Sequence, residues 1–434
     1  MNERPVGALR RLLTAAREPV DAAGLAAFRV LFGLLCTVSA VRFVARGWVE
    51  SIYLQPEFHF RYAGFSWIPE PSEAGLYALF GAMALAGLGI ASGVLYRLSA
   101  AVWLGAFVWV ELLEEATYLN HYYLMTLLGV LVLALPLHRG PRLPAWMGWL
   151  LRGQIAIVYV FAGLAKLTPD WLAGEPLHTW LRPMGDIPVL GPLLVLPGTA
   201  VAMAWAGTLY DLSIPLLLSA RRTRALGFAA VVAFHVATWL LFPIGVFPWL
   251  MIAASTLFFA PSWPRRLLGA RWDRVAWRGA APGPRPPLGP ALAAGWLLLQ
   301  VVLPLRHLGL PGDVAWTGRG FRFSWRVMLV EKTGLVEFRL VDRASGATRR
   351  VSPRADLTPQ QYKMLCTEQE LIAEYARHLA AEERAAGRDV AVYADALISL
   401  NGRPRARAVD PSVDLSVPAH ALPDHWIPAP YSEP

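Results

Sequence analysis

Long apolar runs separated by short polar segments fill most of residues 23–306. A hydrocarbon core of about 30 Å takes roughly 20 apolar residues of helix. The runs that approach this length are 23–45, 74–92, 98–115, 119–137, 147–166, 199–219, 226–241, 244–260 and 289–306. The pattern predicts a membrane-embedded all-α bundle of about nine transmembrane helices. The run 187–197, VLGPLLVLPGT, is too short to cross and reads as a re-entrant or interfacial piece. A Pro/Gly-rich stretch, 275–288, reads as a linker before the last run. Beyond residue 307 the pattern becomes that of a water-facing domain. FRFSWRVML (321–329) and VEFRLV (336–341) read as strands, and LVDRASGATRRV as a hairpin turning around Ser345. Residues 358–387 read as one long amphipathic helix ending at a glycine. DVAVYADALISL (389–400) alternates toward an Asn401-Gly402 turn. The chain thus divides into a helical membrane domain, 1–307, and a β-rich α+β domain, 308–434.

Composition agrees with the pattern. Of 434 residues, 56% are hydrophobic and only 16% charged, with mean hydropathy +0.41. Soluble domains carry roughly a quarter charged residues. A disordered chain, a nucleic-acid-binding module and a plain cytosolic enzyme are excluded. The first twenty residues are polar and basic, and no cleavable signal peptide is read there. The net charge of +9 needs a location before it has a meaning. With a cytoplasmic N-terminus, the inner segments hold sixteen arginines and the short outer loops three. That asymmetry follows the positive-inside rule and predicts a cytoplasmic N-terminus and an extracytoplasmic C-terminal domain. The two cysteines, Cys36 and Cys366, are too few for a disulfide framework or a zinc site, and Cys36 reads as a buried free thiol.

Of the 40 Lys+Arg residues, only Lys166, Lys332 and Lys363 are lysine. A lysine kept in such a chain invites a role that a permanently charged guanidinium cannot fill. Ionisable groups inside spans are costly and default to functional hypotheses. Arg29 and Arg152 against Asp211 read as structural pairs, Arg42 as snorkelling to the interface, and Glu114 and Glu115 as solvated at a span end. Lys166 and His121 differ. Both fall near the outer ends of their spans, at similar depth. Burial and a nearby cation each lower a lysine pKa, and a neutral amine is a general base. The alternative is that Lys166 snorkels beside Asp170. The aromatic-rich outer loop 48–69 suits an interfacial belt or the mouth of a site for a planar lipid. No phosphate-binding loop, dinucleotide fingerprint, CxxC or HExxH motif occurs, and no histidine spacing implies a metal.

LLRGQIAIVYVFAGLAKLTPDW (150–171) and NHYYL (120–124) closely resemble the vitamin K-dependent gamma-glutamyl carboxylases, with their HTTM-type membrane domain. So do YDLSIPLLL (210–218), FHVATWLLFPIGVFPWLMIAAS (234–255), APSWPRR (260–266), FRFSWRVM (321–328) and YADALISLNGRPRARAVDPSVDL (393–415). The blocks run in order from about residue 22 to 427. The resemblance implies a bacterial inner-membrane enzyme that couples O₂-dependent epoxidation of a reduced vitamin K or menaquinone-type naphthoquinone to carboxylation of protein glutamate by CO₂. It implies no metal and no nucleic acid; the partners are the lipid bilayer and a glutamate-containing peptide or protein. The family's catalytic lysine falls on Lys166 and its functional histidine on His121, with Asn120 beside it. The quinone contacts fall on Ile244, Phe247, Met251 and Met328. The glutamate-engaging loop falls on Phe321, Arg322 and Trp325. Phe321 replaces a tyrosine of the animal motif and Arg322 a glycine. This departure weakens the carboxylating half more than the epoxidising half, although Arg322 offers a charge-assisted contact to a carboxylate. A quinol epoxidase that does not carboxylate, and a transporter or scaffold without chemistry, are the alternatives.

Overall fold

The computed structural model describes residues 4–277 and 288–430. Residues 278–287, most of the stretch read as a linker, lie outside them. An N-terminal helix, α1 (Arg4–Arg17), precedes the apolar elements. Among the described residues, seven helices are long and apolar enough to cross a membrane. They are α2 (Ala23–Ala45), α3 (Glu73–Ser92), α4 (Tyr96–Leu113), α6 (Ala145–Ala165), α7 (Thr199–Ser219), α8 (Arg224–Leu241) and α10 (Gly289–Leu305). Two of the nine expected runs form shorter apolar helices: α5 (Asn120–Ala134) and α9 (Phe247–Ser255). At 1.5 Å per residue, α5 covers only about 22 Å. The run 187–197 holds one short helix, Gly191–Leu194.

A two-stranded ladder pairs β1 (Pro19–Asp21) with β2 (Arg142–Pro144) at the arginine-rich end of the bundle. The C-terminal domain is built on a four-stranded antiparallel sheet of order β4-β3-β5-β6, from β3 (Lys332–Asp342), β4 (Thr348–Val351), β5 (Val390–Leu400) and β6 (Ala406–Arg407). β3 and β5 pair along their whole lengths, Lys332 opposite Leu400 and Asp342 opposite Val390. Their inward residues, among them Phe338, Leu340, Val392 and Ile398, pack on helix α12 (Gln369–Ala385).

Three readings change. The long helix expected over 358–387 is two helices, α11 (Pro359–Leu365) and α12, parted at Cys366–Glu368. Residues 321–329 are turns rather than a strand, with left-handed φ at Phe323 (58°), Trp325 (59°) and Met328 (52°). Glu114 and Glu115 are buried rather than solvated. Glu114 accepts from Gln361 Nε2 at 2.7 Å and lies 3.1 Å from His59 Nδ1, while Glu115 pairs with Arg322.

Those acids help bolt the domain to the bundle. Phe60 and Ala116, from loops between helices, are buried in the domain's own apolar core. The outer loop is therefore split between two tasks. Phe58 and Phe60 dock into the domain, while Trp48, Ile52 and Tyr53 face a cavity at the bundle's end.

Candidate active site

Lys166 caps the C-terminal end of α6. The chain stops being helical there because Thr168 and Pro169 start a new short helix, Pro169–Leu172, whose N-cap Thr168 Oγ1 accepts from Trp171 N at 3.3 Å. Trp171 fixes that helix against α7, donating from Nε1 to Ala204 O at 3.0 Å and Thr208 Oγ1 at 3.1 Å. Asp211 lies three residues beyond Thr208, on the same helical face. Gly163 lets the backbones meet: a Cβ there would fall 2.7 Å from Leu212 Cγ and 3.1 Å from its backbone nitrogen. The result is a buried ion pair, Lys166 Nζ donating to Asp211 Oδ2 at 2.6 Å and to Ala162 O at 3.3 Å.

The snorkelling alternative for Lys166 fails here, and so does the expected pairing of Asp211 with arginine. Lys166 is buried, 7% exposed, and is not beside Asp170. Asp170 instead takes Asn401 at 2.7 Å and Arg403 at 2.5 and 2.8 Å, and those contacts, Arg403 foremost, hold its carboxyl below the usual range. Asp211 pairs with neither Arg29 nor Arg152. Arg29 donates to the carbonyls of Ile90, Ala91 and Ala276, and Arg152 to those of Leu257 and Phe259.

The pair faces a cavity of about 130 Å³. Its walls are apolar, with Val158, Ala162, Trp171, Met203, Phe242 and Phe247 among them. Ile244, Phe247, Met251 and Met328, the expected quinone contacts, all line it. His235 joins them; its Nε2 lies 3.1 Å from Tyr159 Oη, and its Nδ1 has no hydrogen-bond partner among the described residues. Sequence alone implies no place in the chemistry for Asp211, Tyr159 or His235. A carboxylate and a histidine inside apolar runs are visible there, but not which neighbours they meet.

His121 does not share that cavity. It lines a second chamber of about 540 Å³, with Asn120, Arg42, Phe321, Arg322 and Arg326. Ile244, Phe247, Val327 and Met328 line both spaces, which therefore adjoin. The Phe247 ring stands 5.9 Å from the His121 ring and 5.8 Å from the His235 ring. Asn120 acts as a brace: it donates to Arg326 O at 3.0 Å and its Oδ1 accepts from Tyr118 Oη at 3.2 Å, while Tyr118 Oη accepts from Phe323 N at 2.8 Å. Arg322 is taken up by Glu115, so it is not the open carboxylate contact expected of it. Trp325 lines neither space; it is buried in the bundle core against Tyr123, ring centroids 5.0 Å apart. Among the described residues no group of acids, histidines and cysteines has the make-up of a metal site.

Residues 17–263 match the family described as the HTTM domain, and residues 286–431 match the lumenal domain of vitamin K-dependent gamma-carboxylase. No solved structure matches the chain.

Proposed function

The chain belongs to the vitamin K-dependent gamma-carboxylase family, and on that premise we propose that it oxidises a reduced naphthoquinone with O₂ and uses the reaction to carboxylate glutamate. The observation that carries this reading is the Lys166–Asp211 pair, 2.6 Å apart at the end of an apolar cavity. A buried ion pair costs desolvation and is a weak device for stability alone. Beside a water-poor cavity it is a device for handling a proton.

The lining fits such a substrate. A cavity of this size admits an aromatic ring, and Met203, Met251 and Met328 give unbranched walls that adjust to a second ring. The polar atoms converge from Lys166, Asp211 and His235. A bound quinol, oxidised by O₂ to its epoxide with release of water, supplies the strong base that removes a glutamate γ-proton ahead of CO₂ addition. The chain's own part is narrower. Lys166 Nζ takes the proton of a quinol hydroxyl once its own proton has moved across the 2.6 Å contact to Asp211. His235 Nδ1, without a partner among the described residues, offers a hydrogen bond to a ring oxygen. Phe247, Phe242 and Trp171 exclude water.

Anaerobic incubation of the purified protein with reduced menaquinone, followed by O₂ and chromatography, is expected to yield the epoxide. Adding a glutamyl peptide and ¹⁴CO₂ is expected to label the peptide. Epoxide without label would leave a quinol epoxidase, and neither product would remove the proposal.

A further inference from the structure

The second chamber holds a guanidinium without an acid. Arg42, in the last turn of α2, lies over Trp48 with Cζ 4.6 Å from the ring centroid. Among the described residues no carboxylate pairs with it. The chamber's other arginines are engaged: Arg322 with Glu115, and Arg326 Nη2 with His307 Nε2 at 3.0 Å. Glu368, the acid among the lining residues, points toward Gly318.

Gly245 shows where the Arg42 side chain is aimed. Its φ is +63°, and a Cβ at this position would lie 3.5 Å from Arg42 Nη1, 3.7 Å from Arg42 Nη2 and 3.7 Å from His121 Nε2. The lack of a side chain at 245 therefore leaves open one point on which three nitrogens converge. A guanidinium offers two parallel N–H bonds, the geometry of a carboxylate.

We propose that Arg42 and His121 form a carboxylate clamp that holds the side chain of a glutamyl residue. This rests on the carboxylase reading and deepens it by assigning the acidic substrate to a chamber of its own. The chamber is walled by the C-terminal domain through Phe321, Val330, Gln360 and Met364, so a peptide reaches it from that side. Removing a proton from the γ-carbon leaves an electron pair beside an existing carboxylate, before that pair forms the new bond to CO₂. A fixed cation on the carboxylate stabilises that doubled negative charge. Phe247 and Ile244 line both the clamp's chamber and the Lys166 cavity, so the two spaces adjoin and the clamped γ-carbon lies next to the space in which the base forms.

The test is calorimetric titration of the full chain in lipid nanodiscs with a short glutamyl peptide and its glutaminyl counterpart. The unaltered protein is expected to prefer the glutamyl peptide by about tenfold or more. Arg42→Lys keeps part of that preference and Arg42→Gln loses it. Gly245→Ala, which puts a methyl group on the point of convergence, also loses it. Arg46→Gln, beyond the helix end and exposed, leaves it intact. An equal preference in the unaltered protein and Arg42→Gln, or none in the unaltered protein, overturns the clamp. Thermal unfolding checks each variant. Should Arg42→Gln not fold, Gly245→Ala decides the matter in its place, and an undiminished preference there overturns the clamp. Epoxide formation without peptide, measured on the same preparations, separates failure of the clamp from failure of the carboxylase reading.

Discussion

Lys166 and Lys332 are both buried amines, and their neighbours decide what each does. Lys332 Nζ donates to Trp316 O at 2.8 Å and Thr367 O at 3.3 Å, and burial pulls its pKa down. It ties loop to helix and faces no substrate space. Lys166 has a carboxylate and a cavity. Lys166→Met is accordingly expected to lower epoxide formation by about 10²–10⁴-fold. Lys363→Met, at an exposed site, leaves it unchanged, and Lys332→Met leaves turnover per folded molecule unchanged. Product chromatography normalised to folded protein measures all three. Full epoxidation by folded Lys166→Met would remove the lysine from the mechanism. A second residue gives a pH signature. Burial pushes the Glu374 carboxyl up to about 7, although it accepts from Arg61 N at 2.8 Å. An acid that binds its proton more tightly when folded stabilises the fold fully below its unfolded pKa of about 4.5, and that contribution is lost as pH rises through about 7. Thermal unfolding should show that Glu374→Gln flattens the decline across this window; an unchanged profile would mean that Glu374 is already ionised there.

At the scale of elements, the approach of α6 to α7 decides whether a site exists. Gly163 is the contact point, and Gly163→Leu would overfill it by a whole side chain, a change that typically costs about 1–3 kcal/mol. Separating the helices would also pull Lys166 from Asp211. The expected outcome is a lowered unfolding temperature together with lost epoxidation; a stable, fully active variant would show that the helices adjust. The apolar runs were legible because hydrophobic length is a local property. Lys166 was legible because it stands almost alone as a lysine. Asp211 was visible as a costly acid in an apolar run, but its partner was not, since helical periodicity says nothing about which helix lies opposite. Residues 321–329 misled for a related reason. Their alternation imitates a strand, yet Phe323 N is tied to Tyr118 and Trp325 to Tyr123, and left-handed turns serve those separate anchors. The break at Cys366 was hidden by an apolar period that runs on across it.

For the whole molecule, the C-terminal domain docks where α2, α4 and α6 end, through Phe60, Glu114–Gln361 and Asp170–Arg403. The arginine-rich turns lie at the other end of these helices. A reporter fused after Pro434 is expected outside the cytoplasm and one inserted at Arg221 inside it; both on one side would refute the orientation read from the arginine count. That there are two adjoining spaces, lined in common by Ile244, Phe247, Val327 and Met328, has a kinetic corollary. If the proposed quinol fills the Lys166 cavity and the proposed peptide the second chamber, neither has to wait for the other to leave. An oily quinone mimic would then act as a competitive inhibitor of the quinol while leaving the peptide's KM untouched.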